Sequence, residues 1–527
     1  MAMVLTALIA GCGGGGKEAS NGAATNSSTG SSKPYAELRW GEPTFPARID
    51  WDALSWPQAI QAESLVVQNL VEFEPNGRLK PELASSIEHP NATTYIYNVK
   101  TGVKFSDGKP LTVADVVYSL RYAMASKESD NKPYWSDVAS VTAHGNSAVM
   151  VKLKRPSAIW PYILAFSGQI MEKAQAEKIG EKALGTPSGL LIGTGPWKFD
   201  SFTPEASIHL SPNPYWRGPS RPASRITFTL FKSESTMALA LRSGAIDGAS
   251  WYTTPKLFTG IPDVRNMDTP LEYTEVLSMG SESPPLNDVH VRRAIAYAID
   301  AKGMIKALYP PGDASEVATF TPASLYPNYA PGEVNAMLAR LPKYDFDLAA
   351  AKAELAKSSY PHGFSTAIQV EATSTAEVSA AQILASDLAK IGINAAVHEQ
   401  QPAEESVLYG KKVKLHIYEI GAAYPDPVSM TSELLSPSQI GSGLLNLASY
   451  RNKEVERLLP LSEEVTNPKQ RLALIEKTLK LANSDAVYPM MWAIGVFGAI
   501  SEKYVYPGFS TWTAAYTPWA LRVKLAG

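Results

Sequence analysis

Ser106 and Lys109 stand three residues apart, the spacing at which a lysine can take the proton of a serine nucleophile. Their neighbours point elsewhere. Ser106-Asp107-Gly108 has the composition of a turn, with Gly108 free to take a positive φ, and Pro110 sets the next entry. Thr112 and Asp115 form a capping box, and Val116, Val117, Leu120 and Met124 fall on one face of the helix it opens. Every residue of the stretch is thereby given a structural role. The seven histidines, His89, His144, His209, His290, His362, His398 and His416, include no His-Glu-x-x-His or comparable ligand pair. Cys12 is the only cysteine, so neither a cysteine zinc site nor an intrachain disulfide is expected. There is no Gly-x-Ser-x-Gly elbow and no Gly-x-x-x-x-Gly-Lys-Ser/Thr phosphate loop. Gly193-Thr194-Gly195 runs into Pro196 and a strand, where a nucleotide loop requires a helix N-terminus. Asp345-Phe346-Asp347 is too short for a calcium loop and reads as a helix start, and Glu463-Glu464 reads as solvated charge. No catalytic residue, metal or cofactor is therefore assigned.

The elements that carry these residues form a large α/β protein. At 527 residues the chain exceeds one compact core, so two or three lobes are expected. A net charge of −3 gives no basic surface for nucleic acid. No apolar run approaches the ~20 residues that span a bilayer. Strands are expected at 36–40, 94–99, 147–154 and 226–231, and helices at 58–71, 236–241 and 469–483, from their apolar periods. Asn287 or Asp288 caps a helix that turns Val291, Ile295, Ala298 and Ile299 inward and leaves Arg292 and Arg293 solvated. Residues 366–398 read as strand, helix and return strand, a crossover that implies parallel pairing.

The N-terminus carries a short apolar segment, Met3 to Ala10, and ends in Ile9-Ala10-Gly11-Cys12. This resembles a bacterial lipobox, in which the signal peptide is cut before the cysteine and a lipid joins its sulfur. It implies a signal peptide at 1–11 and a lipidated Cys12 with a Gly/Ser-rich tether at 12–35. The other reading of Cys12 is a chance cysteine in an ordinary signal peptide. No Lys or Arg precedes the apolar segment, a departure that a translation start further upstream would explain.

Several blocks together resemble one family. They are Pro81-Glu82-Leu83-Ala84-Ser85-Ser86, Thr94-Tyr95-Ile96-Tyr97, Gly102-Val103-Lys104-Phe105-Ser106-Asp107-Gly108-Lys109-Pro110, and Thr112-Val113-Ala114-Asp115-Val116-Val117-Tyr118-Ser119. Gly193-Thr194-Gly195-Pro196-Trp197-Lys198, Asn213-Pro214-Tyr215-Trp216-Arg217-Gly218 and Pro284-Pro285-Leu286-Asn287-Asp288-Val289 follow. In this order they are similar to the bacterial extracellular solute-binding proteins, family 5, which serve peptide, nickel and opine ABC importers. The resemblance spans roughly residues 36–527. It implies a two-lobed, class II-like periplasmic-binding-protein fold. Lobe I would comprise residues 36–273, with an extra subdomain at 53–186, and the return segment 494–527. Lobe II would comprise 274–493, with the ligand held between the lobes.

The same resemblance implies the site. Glu42 lies after the first strand, where a peptide-binding relative makes a polar contact. Tyr134 and the pair Trp251-Tyr252 match cleft segments, and Trp492 falls at the second crossing. Each of these aromatics has two readings, a ligand platform or core packing. Residues 421–427, Gly421-Ala422-Ala423-Tyr424-Pro425-Asp426-Pro427, are similar to a W-x-A-D-Y-P-D-P loop. Ile420 stands near the tryptophan position, and Ala423 replaces the aspartate that pairs with a ligand's ammonium. Tyr424 and Asp426 match, the latter with a role in turn geometry. The expected activity is capture of a peptide-class or other small solute that lacks a free amino terminus, by a monomeric lipoprotein on the outer face of the membrane. It would deliver the solute to an ABC permease and its ATPase. A secreted enzyme on the same scaffold and a sensory binding protein are the alternatives.

Overall fold

The computed structural model describes residues 30–31, 33–43, 47–53, 57–252, 254–269, 271–372, 374–400, 414–441 and 445–527. Cys12, the expected signal peptide and most of the expected tether lie outside the described residues.

Alternation of buried and accessible side chains builds three main sheets. The first has seven strands in the spatial order Val264–Asp268, Phe497–Ser501, Gly248–Ser250, Leu38–Glu42, Ile226–Leu230, Ser207–Pro212 and Trp197–Thr203. At its centre Leu38–Glu42 pairs in parallel with both neighbours. The second has six strands in the order Ala314–Ser315, Met490–Ile494, Tyr273–Met279, Leu415–Gly421, Phe364–Glu371 and Ile393–Gln400. The third, antiparallel throughout, orders Ala84–Asn91, Thr94–Val99, Ala148–Leu153 and Val138–His144.

The chain passes from the seven-stranded to the six-stranded sheet between Asp268 and Tyr273, and returns between Ile494 and Phe497. The two crossings are stitched together. Tyr273–Met279 pairs antiparallel with Met490–Ile494, and Glu272 N–H donates to Ile494 O at 3.0 Å. Thr269 Oγ1 accepts from Val496 N–H at 2.5 Å and donates to Val496 O at 3.3 Å.

Local chemistry explains most element boundaries. Thr112 and Asp115 form the reciprocal capping box that opens Val113–Ala125, with Val116 and Leu120 buried beneath it. The crossover is Phe364–Glu371, Thr375–Ala389 and Ile393–Gln400, its two strands parallel. Gly392 after its helix takes φ +91°, a conformation that costs a residue with a Cβ.

Four expectations need correction. The helix expected over 58–71 is only Pro57–Glu63, and Val71 begins a strand instead. The carbonyls of Leu65 and Val66 accept from Trp197 and Gly195, which draws the chain out of the helical ladder. Arg292 is buried rather than solvated, with its guanidinium donating to the carbonyls of Asp485 and Leu286 at 2.7 Å each. Glu463 and Glu464 are not free surface charge, since both hold Arg155, at 2.9 and 3.0 Å. Glu42 is the last residue of the first strand, not part of the loop after it.

Candidate functional site

The seven-stranded sheet ends its central parallel strands side by side. Trp40 is in register with Gly248 and Gly41 with Ala249, so Glu42 and Trp251 close two adjacent strands at their carboxyl ends. That is where open α/β sheets present ligands. Both residues carry polar atoms without a partner among the described residues. Glu42 is fully buried, and neither carboxylate oxygen has a hydrogen-bond partner among them. Burial pushes its carboxyl well above the usual range, which favours the protonated form over the carboxylate. The Trp251 indole N–H is likewise buried without an acceptor among the described residues. Trp251 also holds φ +61°, unusual for a bulky residue, and its backbone N–H donates to Phe497 O at 3.0 Å. Tyr252 points away into packing. It stacks on Phe258 at a centroid distance of 3.8 Å and on Phe497 at 6.1 Å.

Tyr134, which the sequence singles out, packs with Trp251 and Tyr516 against one apolar cluster, and Tyr273, Glu272, Glu419 and Glu433, which it does not single out, lie close to that group. Tyr134, Tyr273 and Tyr516 are half-buried, yet the surrounding protein raises all three phenols through desolvation. Glu419 is accessible to solvent, but burial pushes its carboxyl up to about 7, and Glu371 adds to the rise. Tyr273 is near enough to Tyr516, Glu419 and Glu272 for their charges to raise it further. Its ring lies over Gly421, where a Cβ would come within 2.2 Å of it. Glu272 is buried, and its carboxyl is pushed up to about 7. Glu433 is pushed up to about 8 by burial and accepts the Tyr134 hydroxyl at 3.0 Å.

The loop residues divide into support and lining. Asp426 is buried and forms a two-pronged ion pair with Arg471 at 2.6 and 2.7 Å. It also caps Pro427–Leu435 by accepting from Val428 N–H at 2.9 Å. Tyr424 stacks on Tyr162 at 6.0 Å and meets Tyr134 edge-on at 6.5 Å. Ile420 is buried beside Thr274 in the sheet. Ala423 is half-buried, its N–H donating to Ser429 Oγ at 2.9 Å. Trp492 is fully buried and tilts against Tyr309 at 5.6 Å. Beside Tyr309 a groove of about 270 Å³ separates residues 254–256 from residues 374–379.

The arrangement holds aromatic faces, a buried acid and an indole donor. It suits recognition by stacking and hydrogen bonding. Lys109 does not face Ser106 as a base; its ammonium is paired with Asp107 at 2.7 Å and with Glu172. Among the described residues no group of three His, Cys, Asp or Glu is placed to hold a metal ion, and no helix is long and apolar enough to cross a membrane. Tyr273, Tyr516, Glu272 and Glu433 left no signal in the sequence, because each is brought in by tertiary pairing rather than by a motif.

Known proteins match this frame. The family model described as bacterial extracellular solute-binding proteins, family 5 Middle, covers residues 78–442. Heme-binding protein A of Haemophilus influenzae is 25% identical over 482 residues, 83% of each chain. The nickel-binding periplasmic protein of Escherichia coli is 26% identical over 466 residues, 82% of this chain and 84% of its own. Among solved structures, the ABC transporter-associated periplasmic binding protein DppA from Helicobacter pylori, in complex with the peptide STSA, has a TM-score of 0.80 at 21% identity. The match covers 94% of this chain and 99% of that one. The fold is the two-lobed α/β periplasmic-binding-protein fold.

Proposed function

The chain belongs to the bacterial extracellular solute-binding proteins, family 5, and on that premise we propose that it captures a small solute between two lobes and delivers it to an ABC permease with its ATPase. Lobe I is residues 36–273 with 494–527, including a subdomain at 53–186, and lobe II is 274–493. The observation that carries the reading is the pair of polar groups unmet among the described residues, the Glu42 carboxyl and the Trp251 indole N–H, at adjacent strand ends. Buried polar atoms normally have partners, and a ligand between the lobes would provide them. The solute closes the hinge by touching both lobes, which favours the shut state over the open one. The protein binds without turnover, is held by a lipid on Cys12 and works as a monomer.

The relatives' names span heme, nickel and peptide, so the fold does not fix the ligand. The loop at 420–427 argues for a solute without a free amino terminus. Ala423 offers a methyl group, and Asp426 is committed to Arg471. Glu433 is mostly protonated at neutral pH, being pushed up to about 8. One observation favours the opposite reading, an ammonium-bearing solute: Glu419 is exposed beside the loop at 420–427 and offers a second carboxylate there. Calorimetry with linear peptides and their N-acetyl forms decides between them. Binding that survives acetylation supports the first reading. Submicromolar binding that acetylation abolishes, and that Glu419→Gln also abolishes, establishes the second.

A further inference from the structure

The sequence blocks that mark the family converge on a second cavity that takes no part in the space between the lobes. It measures about 530 Å³, is open on one side, and is lined by residues within 68–218 alone. Its floor is a connected hydrogen-bond chain. Thr194 Oγ1 donates to Gln68 Oε1 at 3.0 Å, Gln68 Nε2 donates to Glu82 Oε1 at 2.9 Å, and Asn69 N–H donates to Glu82 Oε2 at 2.7 Å. Both oxygens of the buried Glu82 are therefore occupied from within.

One wall is aromatic and rigidly set. A Cβ on Gly108 would lie 2.7 Å from the Tyr215 ring, and one on Gly218 would lie 2.1 Å from the Trp216 indole, so each ring lies flat against a glycine. Trp216 Nε1 donates to Pro219 O at 2.8 Å. Asn213 locks this turn to the neighbouring block, with its N–H donating to Pro196 O at 3.0 Å and its Nδ2 donating to Gly195 O at 2.8 Å. Three cations rim the cavity: Lys100, Lys104 and Arg217. All are exposed, and among the described residues none has a carboxylate within ion-pair distance. The Lys104 ammonium sits 5.5 Å from the Tyr215 centroid.

Exposed cations are usually solvated and worth little singly. Here three surround one concavity whose aromatic wall is already packed against Gly108 and Gly218, and a preorganised wall lowers the cost of association. We propose that this cavity is a second ligand site, taking a small anion that carries a flat ring. The ring lies along Tyr215 and Trp216, and the anionic group meets Lys104 and Arg217 at the rim. Aryl phosphates, sulfonates and carboxylates share this chemistry.

Phenyl phosphate and inorganic phosphate are the probes, titrated calorimetrically into the full chain. The expected result is one phenyl phosphate per protein, bound at least tenfold more tightly than inorganic phosphate. The double variant K104E/R217E, which changes only exposed side chains, should weaken phenyl phosphate at least tenfold without moving the melting temperature. Equal affinity in wild type and the double variant overturns the proposal. So does phenyl phosphate binding no better than inorganic phosphate, or no binding of phenyl phosphate at millimolar concentration.

Discussion

Asp426 and Glu433 lie seven residues apart on one loop and helix, and their surroundings give two carboxylates opposite characters. Asp426 meets the Arg471 guanidinium in a buried pair, with side chains 4% and 6% exposed. Removing one partner of such a pair strands a charge in the interior, at a cost of roughly 3–5 kcal/mol. Asp426→Ala is therefore expected to lower the melting temperature sharply in calorimetry, and a variant as stable as wild type would contradict the assignment. Glu433 has no cation facing it among the described residues, only the Tyr134 hydroxyl, and burial pushes it from 4.5 up to about 8. The folded protein thus holds a proton that the unfolded chain releases across that interval, so stability falls as pH rises from about 5 to 8. Glu272, pushed up to about 7, adds to the same slope. Glu433→Gln should flatten the slope and be more stable than wild type at pH 8; denaturation curves with the wild-type pH dependence would refute this. The motif around Asp426 was visible in the sequence, but its helix cap and its pairing with Arg471 were not. Nor was the character of Glu433, because desolvation is set by distant residues that pack over it.

At the scale of elements, the two chain crossings matter most, since every relative movement of the sheets must pass through them. A single hydroxyl, Thr269 Oγ1, bonds both the N–H and the carbonyl of Val496. Thr269→Val keeps the shape and leaves those buried backbone groups unmet, at about 1–3 kcal/mol. Faster amide exchange confined to residues near 494–497 is the expected signature; unchanged exchange there would show that the stitch carries no load. Local signals marked elements well where they were chemically strong. The capping box at Thr112 and the crossover at 364–400 appear where period and caps put them. They failed where a distant strand intervened, as when Gly195 and Trp197 take the carbonyls that would have extended Pro57–Glu63. Arg292 was misplaced for the same reason, its carbonyl partners lying in part some 190 residues away at Asp485.

At the scale of the molecule, residues 155–162 make direct contact with residues 424–464. Arg155 reaches Glu463 and Glu464, Ala158 N–H donates to Glu463 O at 2.7 Å, and Tyr162 stacks on Tyr424. One apolar cluster runs through both regions, from Trp51 and Phe166 to Tyr418 and Tyr488. Length and the family blocks made a two-lobed fold legible. Glu42 and Trp251 fall on segments that the family resemblance marks, whereas Tyr273, Tyr516 and Glu433 carry no such mark. The central claim is that a small solute binds here and completes the unmet groups of Glu42 and Trp251. The direct test is a crystal structure with whichever solute, from a panel of peptides, N-acetyl peptides, sugars and metal–histidine complexes, raises the melting temperature most. The account predicts intact solute between Glu42 and Trp251 on one side and Tyr273 and Tyr134 on the other. Solute found outside that space, or found converted to product, would contradict it.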